Sequence, residues 1–225
     1  MDDKTFDEAE AKEWIKGIEA VKHSIRDQDI YPAINDWIKK NNLKNFLDVG
    51  CGQGICSDKI DLKGRNYTGV EPSRLMIDRA NELYQAENLR FVKGNIYDLP
   101  FTDQSFDGVF SILVWHLLSD LGTAASELSR VLGSDGKFQI ITANPDSYKT
   151  WKSFYKDMKL DGKRLDGTME LSDGMKSQDT LFLHTAEEIL NSMQKFSLVV
   201  DHIETFRPSA SGENILISFI GIKSK

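Results

Sequence analysis

A chain of 225 residues with 40% hydrophobic side chains has room for one α/β domain with a modest insertion and a well-filled core. Its net charge of −7 and pI of about 5.2 leave no overall basic footprint for nucleic acid, and no apolar run approaches the length of a membrane span. The two cysteines, Cys51 and Cys56, are spaced neither as a zinc pair nor as a disulfide framework. Together with the lack of an N-terminal apolar signal region, they lead us to expect a cytoplasmic protein with reduced thiols.

In chain order, residues 1–42 read as a helical cap. Trp14, Ile18, Val21 and Ile25 recur at helical spacing, as do Ile30, Ile34, Trp37 and Ile38, and Pro32 suits the first turn of the second helix. Such a cap either packs over a sheet for stability alone or also closes a ligand site. In the second case His23, Arg26 or Tyr31 enters a substrate pocket.

Next comes Phe46-Leu47-Asp48-Val49-Gly50-Cys51-Gly52-Gln53-Gly54. A short apolar run meets an acid and then glycine at alternate positions, the pattern of a buried parallel strand that ends in a tight turn and feeds a helix over Ile55–Ile60. Glycine at 50, 52 and 54 permits positive φ and removes each Cβ that would hold a ligand away from the backbone. The spacing is G-x-G-x-G, so the last glycine arrives one residue too early for the dinucleotide fingerprint G-x-G-x-x-G. Asp48 would also sit poorly beside a pyrophosphate, whereas it suits a ligand that carries a cation.

Asn66–Glu71 reads as the second strand and ends in an acid. Ser73 is an N-cap for a helix with Leu75, Met76, Ala80 and Leu83 on its apolar face. An acid about 20 residues beyond such a glycine turn accepts hydrogen bonds from ribose hydroxyls in nucleotide-type folds, and we assign that role to Glu71. Leu89–Val92 is the third strand, followed by Gly94-Asn95-Ile96-Tyr97-Asp98-Leu99-Pro100-Phe101. The fourth strand runs through Phe106–Ser111, a helix through Thr123–Leu132, and the fifth strand through Lys137–Thr142 after the turn Ser134-Asp135-Gly136.

The glycine stretch resembles motif I of the class I (Rossmann-like) S-adenosylmethionine-dependent methyltransferases, and the chain is similar to their type 11 and type 25 members. The resemblance is strong over roughly residues 43–142 and weak over the final hairpin. It implies a three-layer α/β sandwich whose central, mostly parallel seven-stranded sheet has the order 3-2-1-4-5-7-6 and ends in an antiparallel hairpin. It also implies S-adenosylmethionine as cofactor, S-adenosylhomocysteine as product, and cofactor contacts at Asp48, Gly50, Cys51, Gly52, Gly54, Glu71, Pro72, Met76, Asn95, Ile96 and Ser111. Asn95 stands where the family usually has Asp, and Ile96 where it has a small residue. The phrase Glu127–Gly136 resembles the family's helix-to-strand segment ending in Pro-Gly-Gly, with substitutions at turn positions. The loop after Ser111 lacks the Asn/Asp-Pro-Pro-Tyr/Phe tetrapeptide of base-amino methylases and the Pro-Cys nucleophile of cytosine C5-methylases.

Residues 144–183 break the strand–helix rhythm. Tyr148, Trp151, Phe154, Tyr155 and Met158 crowd a short predicted helix. Asp161-Gly162, Asp166-Gly167 and Asp173-Gly174 read as turns, and Thr168–Leu171 is expected to pair with Thr180–Leu183. We read this segment as a lid over an apolar or aromatic substrate, a decorative loop being the alternative. Thr185 with Glu188 forms a capping box for a helix over Ala186–Lys195, and Phe196–Glu204 and Asn214–Ile222 are the closing strands. The single domain of 225 residues thus divides into the cap (1–42), the cofactor-binding core (43–143), the lid (144–183) and a C-terminal helix with hairpin (184–225).

The reaction implied is in-line methyl transfer to oxygen or nitrogen of a small molecule, driven mainly by positioning. His116, His23 and Tyr31 are the candidate bases should the acceptor lose a proton early. His184 precedes a helix cap and reads as structural, His202 lies in a predicted strand away from the cofactor loops, and no cluster has metal-ligand spacing. A protein or RNA methylase, a non-catalytic cofactor-binding subunit and a nicotinamide oxidoreductase are the rival readings, the last opposed by the loop spacing and Asp48. The expected partner is a small-molecule acceptor, with no nucleic acid or membrane, in a monomer or homodimer.

Overall fold

The computed structural model describes residues 8–20, 24–170, 176–207 and 212–224. The helices are α1 (Glu8–Ala20), α2 (Tyr31–Lys40), α3 (Ile55–Lys59), α4 (Arg74–Leu83), α5 (Leu121–Val131), α6 (Tyr148–Ser153) and α7 (Ala186–Gln194). The strands are β1 (Asn45–Val49), β2 (Asn66–Glu71), β3 (Leu89–Lys93), β4 (Phe106–Ile112), β5 (Leu132–Ala143), β6 (Tyr155–Asp161), β7 (Arg164–Glu170), β8 (Lys176–Phe182), β9 (Leu198–Phe206) and β10 (Leu216–Lys223).

The main sheet has seven strands in the order β3-β2-β1-β4-β5-β10-β9. β1 to β5 pair in parallel, and β10 runs antiparallel to both β5 and β9. This is the Rossmann-like methyltransferase architecture that the sequence leads us to expect, with the same strand order. β1 is buried on both faces, as a central parallel strand must be. Leu47 and Val49 join the core formed with α5 and α7, while Phe46 meets Tyr67 and Phe110 edge-on or tilted on the α2–α4 face. The two-residue period of a strand puts Asp48 on that second, aromatic face. The strand reversal beside β1 puts ligand chemistry at the carboxyl ends of β1, β2 and β4.

Local signals explain most helix starts. The Ser73 hydroxyl accepts from Met76 N–H, and Thr185 and Glu188 complete the capping box. α5 begins at Leu121, two residues before the sequence reading, because Asp120 caps it by accepting from the Thr123 amide and hydroxyl at 2.9 and 2.6 Å. Arg130 on the same helix donates to the Leu99 and Phe101 carbonyls and to Glu127, which itself accepts from Leu99 N–H. That network ties the helix-to-strand phrase to the Leu99-Pro100-Phe101 segment. β5 opens directly after α5, and the expected turn at 134–136 survives as a bulge inside it, with Asp135 at φ +61°.

The segment after β5 departs further from the sequence reading. α6 stops at Ser153, and Met158 lies on a strand instead of a helix. β6, β7 and β8 form a separate antiparallel sheet in that order, with Thr168 facing Gln178. Asp161-Gly162 is the β6–β7 turn, Gly162 having φ +58°. Asp166-Gly167 is not a turn but lies within β7, where Asp166 bonds Arg164 and the Thr180 hydroxyl. A Cβ on Gly167 would come within 3.3 Å of the Tyr155 ring, so this glycine admits close packing. Asp173-Gly174 lies outside the described residues. Among the described residues no helix is long and apolar enough to cross a membrane.

The fold makes α5 the main support of one sheet face. Leu128 on α5 is fully buried. Leu128→Ala is expected to lower stability by about 2–5 kcal/mol, as truncation of a packed core leucine does. Urea unfolding measures it, and a loss below about 1 kcal/mol would show that α5 is not packed in this way.

Candidate active site

The strand-to-helix turn after β1 needs its glycines for different reasons. Gly50, Gly52 and Gly54 all have positive φ, at +80°, +54° and +82°. A Cβ on Gly50 would overlap Val114, and one on Gly54 would sit 2.8 Å from Phe91. A Cβ on Gly52 would meet nothing nearer than Met76 Sδ at 3.9 Å. Gly52 therefore presents bare backbone to open space, while the other two are crowded from behind. Gly50 and Cys51 both donate to Val70 O, at 2.8 and 3.1 Å, which hangs the turn from β2. Gly69 on β2 makes room for Cys51, since a Cβ there would lie 2.7 Å from Cys51 Sγ.

Two buried carboxylates stand at the strand ends. Asp48 accepts from Tyr67 Oη at 2.5 Å. Glu71 accepts from Gly52 N–H at 3.2 Å and Ser73 N–H at 3.1 Å, so it joins the glycine turn to the cap of α4. No cation among the described residues forms an ion pair with either. Burial raises Asp48 to about 7, against the opposing pull of the Tyr67 hydrogen bond, and the Glu71 charge adds to the rise. Burial likewise raises Glu71 to about 6, opposed by its two backbone hydrogen bonds.

A cavity of about 330 Å³ opens over this turn. Asp48, Gly50, Cys51, Gly52, Glu71 and Met76 form its base, and Ile112 to Val114 enter from the end of β4. Trp14 and Ile18 of α1 close one side, with Arg26 and Tyr31, while Trp151, Phe154, Tyr155, Met169 and Asp179 close another. Arg26 lies over the Trp14 ring at 5.9 Å and makes no ion pair among the described residues, and burial lowers its pKa. Burial drives the Tyr31 phenol and the Cys51 and Cys56 thiols well above their usual range, so all three remain protonated.

His116 follows β4 and also lines the cavity. Its Nδ1 lies 3.1 Å from Thr142 Oγ1, which also accepts from the His116 amide, and its ring leans on Trp151 with centroids 5.8 Å apart. Burial lowers its pKa to about 3, so the ring is neutral at physiological pH and a weak proton acceptor.

The remaining sequence candidates among the described residues lie off the cavity wall. Gly54 packs behind the turn, Pro72 is half-buried between Glu71 and Ser73, and Ile96 belongs to the core beneath α5. Asn95 is exposed and accepts from Tyr97 N–H through Oδ1. Ser111 is fully buried and donates to Val49 O, joining β4 to β1. His23 lies outside the described residues. His184 bonds Leu118 O and His202 is exposed.

Sequence reasoning misses Gln53, which is buried and reaches Ile15 O at 3.5 Å, fastening α1 to the glycine turn. It also misses Leu113, whose φ of +59° turns the chain at the end of β4, and Asp179, which accepts from Tyr155 Oη at 2.9 Å. None of these has a local sequence signal, because each depends on a partner distant in the chain.

Residues 47–140 match the family model described as a methyltransferase domain. The O-methyltransferase resE of Aspergillus sclerotiorum is 35% identical over 102 residues, covering 43% of this chain and 39% of that protein. The fatty-acid O-methyltransferase of Mycolicibacterium smegmatis is 32% identical over 104 residues, covering 45% of this chain and 38% of that protein. The chain thus spans about two fifths of the length of these curated relatives. Among solved structures, a S-adenosylmethionine-dependent methyltransferase from Clostridium acetobutylicum superimposes with a TM-score of 0.71 at 16% identity, covering 95% of this chain and 97% of that one, which establishes the fold alone.

The raised pKa values of Asp48 and Glu71 have a consequence for stability. Both groups hold their protons more tightly folded than unfolded. From about pH 4 to pH 7 the folded chain keeps protons that the unfolded chain has released, so their contribution falls as pH rises through that window and levels off above it. Asp48→Asn removes one of the two groups. Urea unfolding at pH 5 and pH 8 should therefore show a smaller fall in stability for the variant than for the parent; equal falls would refute the assignment.

Proposed function

We propose that residues 47–140, which match a family model described as a methyltransferase domain, form a class I, S-adenosylmethionine-dependent methyltransferase domain, and that the chain transfers a methyl group from this cofactor to oxygen or nitrogen of a small molecule. The observation that carries the reading is the pairing of bare backbone at Gly52 with two uncompensated carboxylates, Asp48 and Glu71, in one cavity. A phosphate ligand would be repelled there. A ligand with a cationic centre and a ribose is favoured, since it supplies the positive charge and the hydroxyl donors that the two acids lack.

The cavity residues suit S-adenosylmethionine on this chemistry. Glu71 has two oxygens with lone pairs to spare beyond its backbone bonds, enough to accept from a ribose diol. Asp48 lies beneath the turn as a compensating anion for positive charge. Arg26 is the cation of the cavity and would hold a carboxylate in a fork. When bound, the cofactor supplies an electrophilic methyl group on a sulfonium, and the carbon–sulfur electron pair remains on sulfur as the neutral thioether is formed. The acceptor atom makes the new bond with its own lone pair, and its proton, where it has one, passes to solvent. Trp14, Ile18, Trp151 and Phe154 line the site with apolar surface, which leaves alignment as the main source of rate. His116 contributes a neutral, hydrogen-bonded ring rather than a strong base, and Tyr31 a protonated phenol.

The small-molecule reading is supported by the walls that the cap and the second sheet raise on two sides of the cavity, and by the names of the two curated relatives, both O-methyltransferases. A macromolecular acceptor would need an open groove there.

Calorimetric titration tests the cofactor. S-adenosylmethionine and S-adenosylhomocysteine should saturate the protein and NADH should not; binding of NADH alone would overturn the reading. The same titration tests Arg26. Arg26→Gln should weaken S-adenosylhomocysteine by about 1.5–3 kcal/mol, the value of a charged hydrogen bond, and leave 5′-methylthioadenosine, which lacks the carboxylate, nearly unchanged. Equal losses for both ligands would remove Arg26 as the carboxylate partner.

A further inference from the structure

One hydroxyl holds His116 twice. The His116 amide donates to Thr142 Oγ1 at 3.1 Å, and the ring nitrogen Nδ1 lies 3.1 Å from the same atom. Thr142 is on β5 and fully buried, so its hydroxyl hydrogen needs an acceptor inside the protein. Among the described residues Nδ1 is the only acceptor that Thr142 Oγ1 reaches. Were Nδ1 protonated, Oγ1 would accept twice and its own hydrogen would be buried without a partner. The hydroxyl therefore donates to Nδ1, and the ring proton sits on Nε2. The backbone fixes the pairing. Leu113, at φ +59°, turns the chain after β4 and donates to Ile141 O at 2.7 Å, and Trp115 beside His116 is fully buried.

Nε2 is placed differently. It has no hydrogen-bond partner among the described residues, yet it is not one of the buried polar atoms left without one. The half-buried ring lines the cavity over the glycine turn and leans on Trp151. Nε2–H is thus a donor open to the space that the ring lines, on a ring that Thr142 holds from behind. Burial lowers the His116 pKa to about 3, so the ring stays neutral and draws no proton from an acceptor.

We propose that His116 donates Nε2–H to the methyl acceptor, with Thr142 as its positioning residue, and that the acceptor is a carboxylate. Such a donor relieves an alcohol or an amine of no proton. A carboxylate arrives ionised and only accepts. One of its oxygens takes Nε2–H in a charge-assisted bond, and the other is free to attack. The step balances with no base. A carboxylate lone pair forms the bond to the methyl carbon, the carbon–sulfur pair stays on sulfur, no proton moves, and the products are a methyl ester and a neutral thioether. The charges on Asp48 and Glu71 that would oppose an anion are those that a cationic cofactor offsets, so the carboxylate belongs to the occupied site. Asp179, on the wall made by the second sheet, already accepts from the Tyr155 hydroxyl and the Thr180 amide. The carboxylate acceptor rests on the methyl-transfer reading, but the ring tautomer does not.

Two measurements test this. Long-range 1H–15N NMR on protein labelled with 15N-histidine reads the tautomer, the His116 signals being those lost in His116→Gln. Nε2 should carry the proton and Nδ1 none, without change from pH 5 to pH 8. Thr142→Val removes the hydroxyl and should leave the proton shared between both nitrogens. Benzoate is then titrated calorimetrically into protein saturated with sinefungin, which carries an amine cation in place of the methyl sulfonium. Benzoate should bind, and His116→Ala should weaken it on the order of tenfold or more, the loss of a charged hydrogen bond. Benzylamine, which has no oxygen, should bind more weakly and be indifferent to His116→Ala. The proposal is overturned if Nδ1 carries the proton in the parent, if benzoate does not bind, if its affinity survives His116→Ala, or if benzylamine matches it. Failure of both S-adenosylmethionine and sinefungin to bind would instead overturn the methyl-transfer reading, and NMR on the unsaturated protein would still decide the tautomer.

Discussion

The Glu71 carboxylate is the fastening on which the site depends. It takes one amide from the glycine turn after β1 and one from the start of α4, and so holds together the ends of two adjacent parallel strands. The turn can lie in that position only because Gly50 and Gly54 admit Val114 and Phe91 at their backs and Gly52 has no side chain in front. Asp48, one strand away, is buried for a related reason. Its place on β1 faces the aromatic layer of the core, where the Tyr67 hydroxyl is its hydrogen-bond donor. Burial leaves both acids short of positive charge. On the proposed function a cationic ligand supplies what is missing.

The surrounding structure divides by origin. The turn, the acids and His116 all lie within residues 47–140, the span that matches the methyltransferase-domain model. The walls that face it come from outside that span: α1 and the Arg26–Ile30 turn from one side, and α6 with the second sheet from the other. Gln53 joins the two parts, since it belongs to the glycine turn and bonds the backbone of α1. On the proposed function the matched span fixes where the cofactor chemistry sits, and the added segments decide what can approach it. The match to the methyltransferase model accordingly says little about the acceptor.

Much of this organisation is legible in the sequence where a local rule governs it. The glycine spacing, the acid ending β2, the Ser73 cap and the Thr185–Glu188 box each appear in the structure as their residues dictate. The second sheet is less legible. Asp166-Gly167 has the composition of a turn, yet Thr180 and Arg164 occupy the Asp166 carboxylate and the close approach of Tyr155 explains the glycine. Both causes are cross-strand neighbours that no window of sequence contains. Ser111 and Asn95 make the same point at the site itself. Each occupies a family position, while Ser111 is committed to Val49 O and Asn95 to its own loop.

The claim that the bare backbone at Gly52 faces the cofactor is tested most directly by measuring S-adenosylhomocysteine affinity in Gly52→Ala and Gly52→Val, with circular dichroism to verify folding. Because open space lies in front of this residue and no packed side chain, the account predicts folded variants whose affinity falls progressively as the side chain grows, with valine abolishing binding. A folded Gly52→Val protein that binds S-adenosylhomocysteine as tightly as the parent would contradict it.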